Sequence, residues 1–188
     1  MVMPATRTDW TVDMLDALED DGQRYELIDG ELFVTPSPTD VHQLVAGEFA
    51  YRLRHYLDGT RFGRVVTAPI DVRRGDRTRN RVQPDVLVLR LRDGNRPAYP
   101  YDLQDLMLII EVSSPGSVRL DYQIKRELYL REGVGEYWIA DPVARNVTRW
   151  RTGEASGELL TGDISWTIAG LATQMTLLLP QLYVDALD

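Results

Sequence analysis

Apolar and polar positions along the chain follow two periods, near 3.6 and near 2, and the switches between them mark its elements. In residues 8–20, Trp10, Met14, Leu15 and Leu18 recur at helical spacing, with Thr8 or Thr11 available as N-cap, so a short amphipathic helix is predicted. Two strand-like runs follow, 24–29 and 30–35, with Asp29-Gly30 between them, a strong local signal for a hairpin. Pro36 and Pro38 end the second run. From 39 to 58 the apolar positions Val41, Leu44, Val45, Phe49, Leu53, Tyr56 and Leu57 return at intervals that predict a long helix.

After Gly59 the pattern shortens to β-rich runs at 64–68, 70–73 and 82–89, separated by the polar stretch 74–81, which predicts a meander. Residues 106–112 are almost continuously apolar, as expected of a strand buried on both faces at a sheet centre. A helix over 118–132, stopped by Gly133, and a strand over 136–141 complete a strand–helix–strand order that implies a crossover between parallel strands. Shorter strands are expected at 146–151, 158–160 and 174–179. The sum is one α/β domain over residues 1–188 without internal repeats.

Composition narrows the chemistry. With 188 residues, 44% hydrophobic, the chain suits one domain and one core. It has no cysteine and two histidines, His42 and His55, so thiol catalysis, thiolate zinc sites and His-rich metal sites are excluded, and any metal must use oxygen ligands. No apolar run reaches the roughly 18 to 20 residues that span a bilayer, and the first ten residues lack a signal peptide's apolar stretch. A cytoplasmic protein with no membrane partner is expected.

The formal charge of −8 argues against a protein that coats nucleic acid by bulk positive charge, but the distribution is uneven. Residues 61–96 carry 10 basic and 4 acidic side chains, whereas residues 1–60 carry 4 and 12. Every positive group of that island is an arginine, and Arg73, Arg74, Arg77 and Arg79 at its centre are candidate phosphate contacts; the plainer reading is a solvated loop. Of the 21 basic residues only one is lysine, Lys125. Arginine replaces lysine where charge alone matters, but not where a compact ammonium is needed.

Glu111 lies inside the apolar run 106–112, where an ionised carboxylate needs a partner, hydrogen bonds or a metal; a strand-end glutamate paired with an arginine is the alternative. Asp85, after Pro84, opens another apolar run and is placed to meet Glu111, and two converging carboxylates repel unless one is protonated or a divalent cation lies between them. Neutralising either one should then stabilise the metal-free protein. Lys125 stands four residues after Asp121 and four before Tyr129, either as a helix-surface ion pair or reaching back over the sheet end.

These residues in combination resemble the PD-(D/E)XK nucleases of the restriction-endonuclease-like fold and, within them, the Uma-two family. The resemblance rests on 25–31, 36–42, Gln83-Pro84-Asp85, 110–115, the Asp121 to Lys125 pair with Tyr129, and 133–142. It implies a curved mixed sheet around four core strands, flanked by helices. It also implies Mg-dependent cleavage of DNA phosphodiester bonds, with Mn as substitute metal and RNA left open as substrate, by a homodimer. Asp85 and Glu111 take the metal-binding positions, the backbone carbonyl of Ser113 offers a further oxygen, and Lys125 stabilises the hydroxide or transition state. The motif's lysine would fall at 113, where this chain has Ser113, so the role passes to Lys125. Glu31, chosen over Glu26 and Glu48, is the expected extra acid, and His42 a contact to phosphate or to a metal-bound water. A non-catalytic binding or assembly module of the same fold is the competing class, and a hydrolase of small phosphate esters the third.

Overall fold

The computed structural model describes residues 9–19, 21–35, 37–73 and 78–188. Helix α1 (Val12–Asp16) is capped by Thr11, whose side chain accepts from the Met14 amide. Strands β1 (Arg24–Ile28) and β2 (Glu31–Thr35) form the expected hairpin. Asp29 and Gly30 both take positive φ, 51° and 84°, the conformation a two-residue turn between twisted strands requires. Helix α2 (Asp40–Leu57) starts at Thr39, which accepts from the His42 amide, and buries Val45, Phe49, Leu53 and Leu57; Val41 and Leu44 of the predicted apolar set face solvent.

Next come β3 (Gly63–Thr67), β4 (Val72–Arg73), β5 (Arg81–Val82), β6 (Val86–Arg90), β7 (Tyr101–Asp102) and β8 (Leu106–Val112). A π-helical segment, Leu120–Lys125, continues into α3 (Arg126–Arg131). The chain finishes with β9 (Glu136–Asp141), β10 (Asn146–Arg151), β11 (Glu158–Leu160), β12 (Asp163–Trp166), β13 (Met175–Leu178) and α4 (Leu179–Leu187).

A six-stranded sheet in the order β11-β10-β9-β8-β6-β3 is the centre, with β8 and β9 parallel across the crossover and the other pairs antiparallel. Alternation along β8 assigns its two faces. Leu108, Ile110 and Val112 pack with α2, α4 and the β12–β13 hairpin, while Ile109 packs with Tyr129, Tyr137 and residues of the second sheet. That sheet, β2-β1-β5-β4-β7, corrects the expected meander: β3 and β6 pair directly, and β4 and β5 leave to join the hairpin. Two-residue strands with one buried position each cannot hold a place in a wide central sheet, and Leu27 of β1 pairs with Arg81 instead. Among the described residues, no helix is long and apolar enough to cross a membrane.

Candidate active site

Strand register brings Asp85 and Glu111 together. Val86 pairs with Ile110, so Asp85, one residue before β6, meets Glu111 one residue later on β8. In both strands these positions are in phase with the residues that face the second sheet, Leu87 and Ile109. The two carboxylates line one cleft of about 110 Å³ together with Arg24, His42, Ser117, Asp121 and Lys125.

Each carboxylate has its own set of donors. Asp85 Oδ2 accepts from the Val112 amide at 2.9 Å and lies 2.9 Å from His42 Nε2, while Oδ1 is 3.4 Å from Arg24 Nη1. Glu111 Oε1 accepts from Lys125 Nζ at 3.1 Å and from the Tyr129 hydroxyl at 3.0 Å. Lys125 is 3% exposed, and its ammonium also lies 2.9 Å from Oε2 of Glu26, a carboxylate 0% exposed whose Oε1 accepts from the Gln83 amide.

The π-helix explains how one helical segment aims so many groups inward. A π-turn takes more residues than an α-turn, so residues four apart come closer to one line. Asp121 and Lys125 are thereby both buried, and Tyr129 follows on the same side in α3. Tyr137 on β9 donates to the Asp121 carbonyl at 3.1 Å and stacks edge-on against Tyr129, which locks the segment to the sheet.

The electrostatics are uneven. Burial by itself would raise the Asp85 pKa, but the hydrogen bond and charge of His42, the Lys125 ammonium and the Val112 amide outweigh it and hold the carboxyl below its usual range. Burial pushes Glu111 well above its ordinary value; Lys125 opposes this, and the charges of Asp85, Asp121 and Glu26 add to it. Burial likewise raises Asp121 to about 6, against the pull of Lys125 and a hydrogen bond from Ser117. Lys125 itself is desolvated, yet Glu111, Glu26, Asp121 and Asp85 hold its proton more tightly than usual.

Four buried carboxylates thus surround one buried ammonium, with Arg24 and His42 at the rim. That surplus of negative oxygen fits a hard divalent cation in charge and donor type. Among the described residues no group of three or more His, Asp or Glu side chains stands in metal-holding geometry. Magnesium does not need one, since it is commonly held by one or two carboxylates and completed by water and substrate phosphate. Asp85 and Glu111 are the residues that would hold it, in competition with the partners Asp85 already has.

His42 lies in the cleft on Asp85, and Ser113 lies just beyond β8 with its amide donating to Ala140 O at 2.8 Å. Glu31 pairs with Ile28 at the hairpin end and does not line the cleft. Its place beside the lysine is taken by Glu26, which is in phase with Ile28 on the inward face of β1; Glu31 is displaced because it flanks the turn. Of the arginine candidates, Arg73 lies 3.6 Å from Asp16 and Arg79 donates to the Asp29 carbonyl at 2.7 Å, while Arg74 and Arg77 lie outside the described residues. Arg81 is also paired with Asp16, so Arg73 and Arg81 are both engaged by an acid of this chain.

A mixed sheet whose adjoining strands carry these two acids, crossed by a helix that returns a lysine to them, is the restriction-endonuclease-like fold. The chain belongs to the Uma2 family, described as "Putative restriction endonuclease", which it matches over residues 12–178. It is similar in fold to the protein described as "a putative nuclease belonging to DUF820" from Anabaena variabilis ATCC 29413, with a TM-score of 0.75 and 19% identity over 94% of this chain and 99% of that one. No curated protein matches the sequence.

Proposed function

We propose that the protein is a Mg-dependent endonuclease that hydrolyses DNA phosphodiester bonds, with Asp85, Glu111 and Lys125 as its catalytic residues. The observation that carries this reading is the buried Lys125 ammonium, 3.1 Å from Glu111 in the cleft that Asp85 also lines. Bound magnesium would supply an acidified water and neutralise charge on the phosphate. Asp85 and Glu111 would hold that ion. Lys125 places a full positive charge where negative charge grows on the phosphate, inside a desolvated site where such a charge acts most strongly. Glu26 and Tyr129 orient the pair: Glu26 fixes the ammonium from behind, and Tyr129 fixes the Glu111 oxygen that faces it. His42 and Arg24 hold Asp85 in register with the cleft. A homodimer, with one site for each DNA strand, belongs to the same proposal.

Single-turnover cleavage of plasmid DNA, with magnesium, manganese or EDTA, tests the reading. The wild type should cut with either metal and not with EDTA, and Asp85→Asn and Glu111→Gln should be inactive while remaining folded. Lys125→Arg should lose roughly a hundredfold or more in rate, because a planar guanidinium does not replace a compact ammonium between two carboxylates. No cleavage by the wild type of any DNA or RNA would overturn the proposal in favour of a binding or assembly module, which the full set of partners on Asp85 would then suit.

A further inference from the structure

We infer that a nucleic-acid strand leaves the cleft along one face of α2, passes over Gly47 at close range, and is held at its far end by Arg54 and Arg64. The inference rests on the phosphodiesterase reading and assigns the path of the polymer through it.

Three hollows join end to end. The cleft shares Arg24, His42 and Asp85 with a second hollow of about 170 Å³ that runs along α2 to Arg54. Arg54 in turn opens a third, of about 370 Å³, which reaches Arg64 on β3. From His42 to Arg54 the helix rises roughly 18 Å, the length of about five nucleotides at 3.4 Å each. A small phosphate ester needs only the first hollow; a track of this length suits a polymer.

The walls agree. Gln43, Ala46, Gly47, Ala50, Thr67 and Ala68 line the middle stretch, so its walls are small or polar and lack the large apolar and aromatic side chains of a small-molecule pocket. Gly47 is the informative residue. It sits exposed in the middle of an 18-residue helix, where glycine is the poorest helix former after proline, and a Cβ built on it would meet nothing within 4 Å. Packing inside the protein therefore gives no reason for a glycine there. A ligand that approaches the backbone closely does.

The charges point the same way. Arg54 and Arg64 are both exposed, and neither has an ion-pair partner among the described residues, unlike Arg73 and Arg81. Asp58 shares the last hollow with them, leaving two arginines against one aspartate. Phosphate contacts of this kind position a strand without reading its sequence.

The test is fluorescence anisotropy in EDTA with a fluorescein-labelled DNA of roughly 20 nucleotides, single-stranded and annealed. Arg54→Gln with Arg64→Gln should weaken binding about tenfold or more and make the slope of log affinity against log salt shallower by nearly two. In cleavage the loss should appear in KM rather than kcat. Gly47→Leu should also bind about tenfold more weakly, while its Tm equals or exceeds that of the wild type, which separates a blocked track from a damaged fold. Arg145→Gln, on the turn after β9 and outside the three hollows, removes one positive charge and should bind as the wild type does. A wild type that cuts DNA alongside groove variants with unaltered affinity and salt slope would overturn the path and leave the nuclease reading standing. An affinity loss in Arg145→Gln as large as that of the groove variants would overturn it too, by reducing the effect to net charge. A wild type that neither binds nor cuts would overturn both.

Discussion

On one wall of the cleft Asp85 accepts from His42, Arg24 and a backbone amide, and its pKa falls; one strand away Glu111 accepts from Lys125 and Tyr129, and its pKa rises. Both side chains are almost completely buried, at 6% and 2% exposure, so burial alone does not set the sign. The difference lies in how many negative neighbours share each donor. Asp85 has His42 and Arg24 at the rim largely to itself, whereas Glu111 shares a single ammonium with Glu26 and Asp121. A pair of carboxylates driven apart in this way is a recurrent arrangement in sites that bind cations or move protons.

The strongest way to break the contrast is to remove the shared charge. Lys125→Ala should cost about 3–5 kcal/mol in urea unfolding, because it leaves buried carboxylates without a counter-charge. A loss under about 1 kcal/mol would mean that the Glu111 wall is already protonated and does not depend on the ammonium.

Acidity is the next probe. Glu111 and Asp121 bind protons in the folded protein at pH values where the unfolded chain remains ionised, so folding takes up protons and stability rises as pH falls. For Asp121 the window runs from about 6 down to the ordinary 3.8; below it the contribution of Asp85 is lost as that carboxylate protonates. Thermal melts in EDTA should show roughly 1–3 kcal/mol more stability near pH 5 than near pH 7.5. Asp121→Asn should flatten that slope, and a wild-type optimum at neutral pH would show that the cluster's charge is compensated.

Neutralising the two walls separately sharpens the contrast further. In metal-free buffer Asp85→Asn should lose about 1–2 kcal/mol of charge-assisted hydrogen bonding, while Glu111→Gln should lose nothing or gain stability. From sequence alone both substitutions carry the same stabilising sign, since neither His42 nor Arg24 is assignable to Asp85 without the fold. Equal shifts in Tm would remove the distinction. The smallest change is Tyr129→Phe, which deletes one of the two donors on Glu111 Oε1 and should cost about 1 kcal/mol. It should also move the Glu111 titration upward, which carbon-13 NMR of the carboxyl would follow.

The parts of this site that could be read in advance were those set by strand periodicity. An acid inside 106–112, an acid opening the run at 86, and the single lysine on the next helix all follow from local pattern, and register then joins the first two. Glu26 was harder. Both faces of β1 are buried, Leu27 against α1 and β2 and Ile28 against the second core, so alternation did not distinguish an inward glutamate from an outward one. Its one local signal is that it is in phase with Ile28. The C-terminal α4 was hidden by the run of leucines 177–179, which continues the β13 pattern directly into the helix; only the spacing of Leu179, Leu182, Tyr183 and Ala186 marks it. The departure of β4 and β5 from the central sheet is a choice of long-range partner, which no window of sequence contains.

The position of the lysine within the chain bears on the order of assembly. Chains are made from the amino terminus, so Glu26, Asp85, Glu111 and Asp121 all exist before Lys125 does. Until it emerges, the β1–β2 hairpin can form its own hydrogen bonds, but a Glu26 carboxylate enclosed there would have the Gln83 amide as donor and no counter-charge. Enclosing the centre is therefore expected to follow that residue, since a ribosome-bound chain that stops short of it carries all four acids without the ammonium they share.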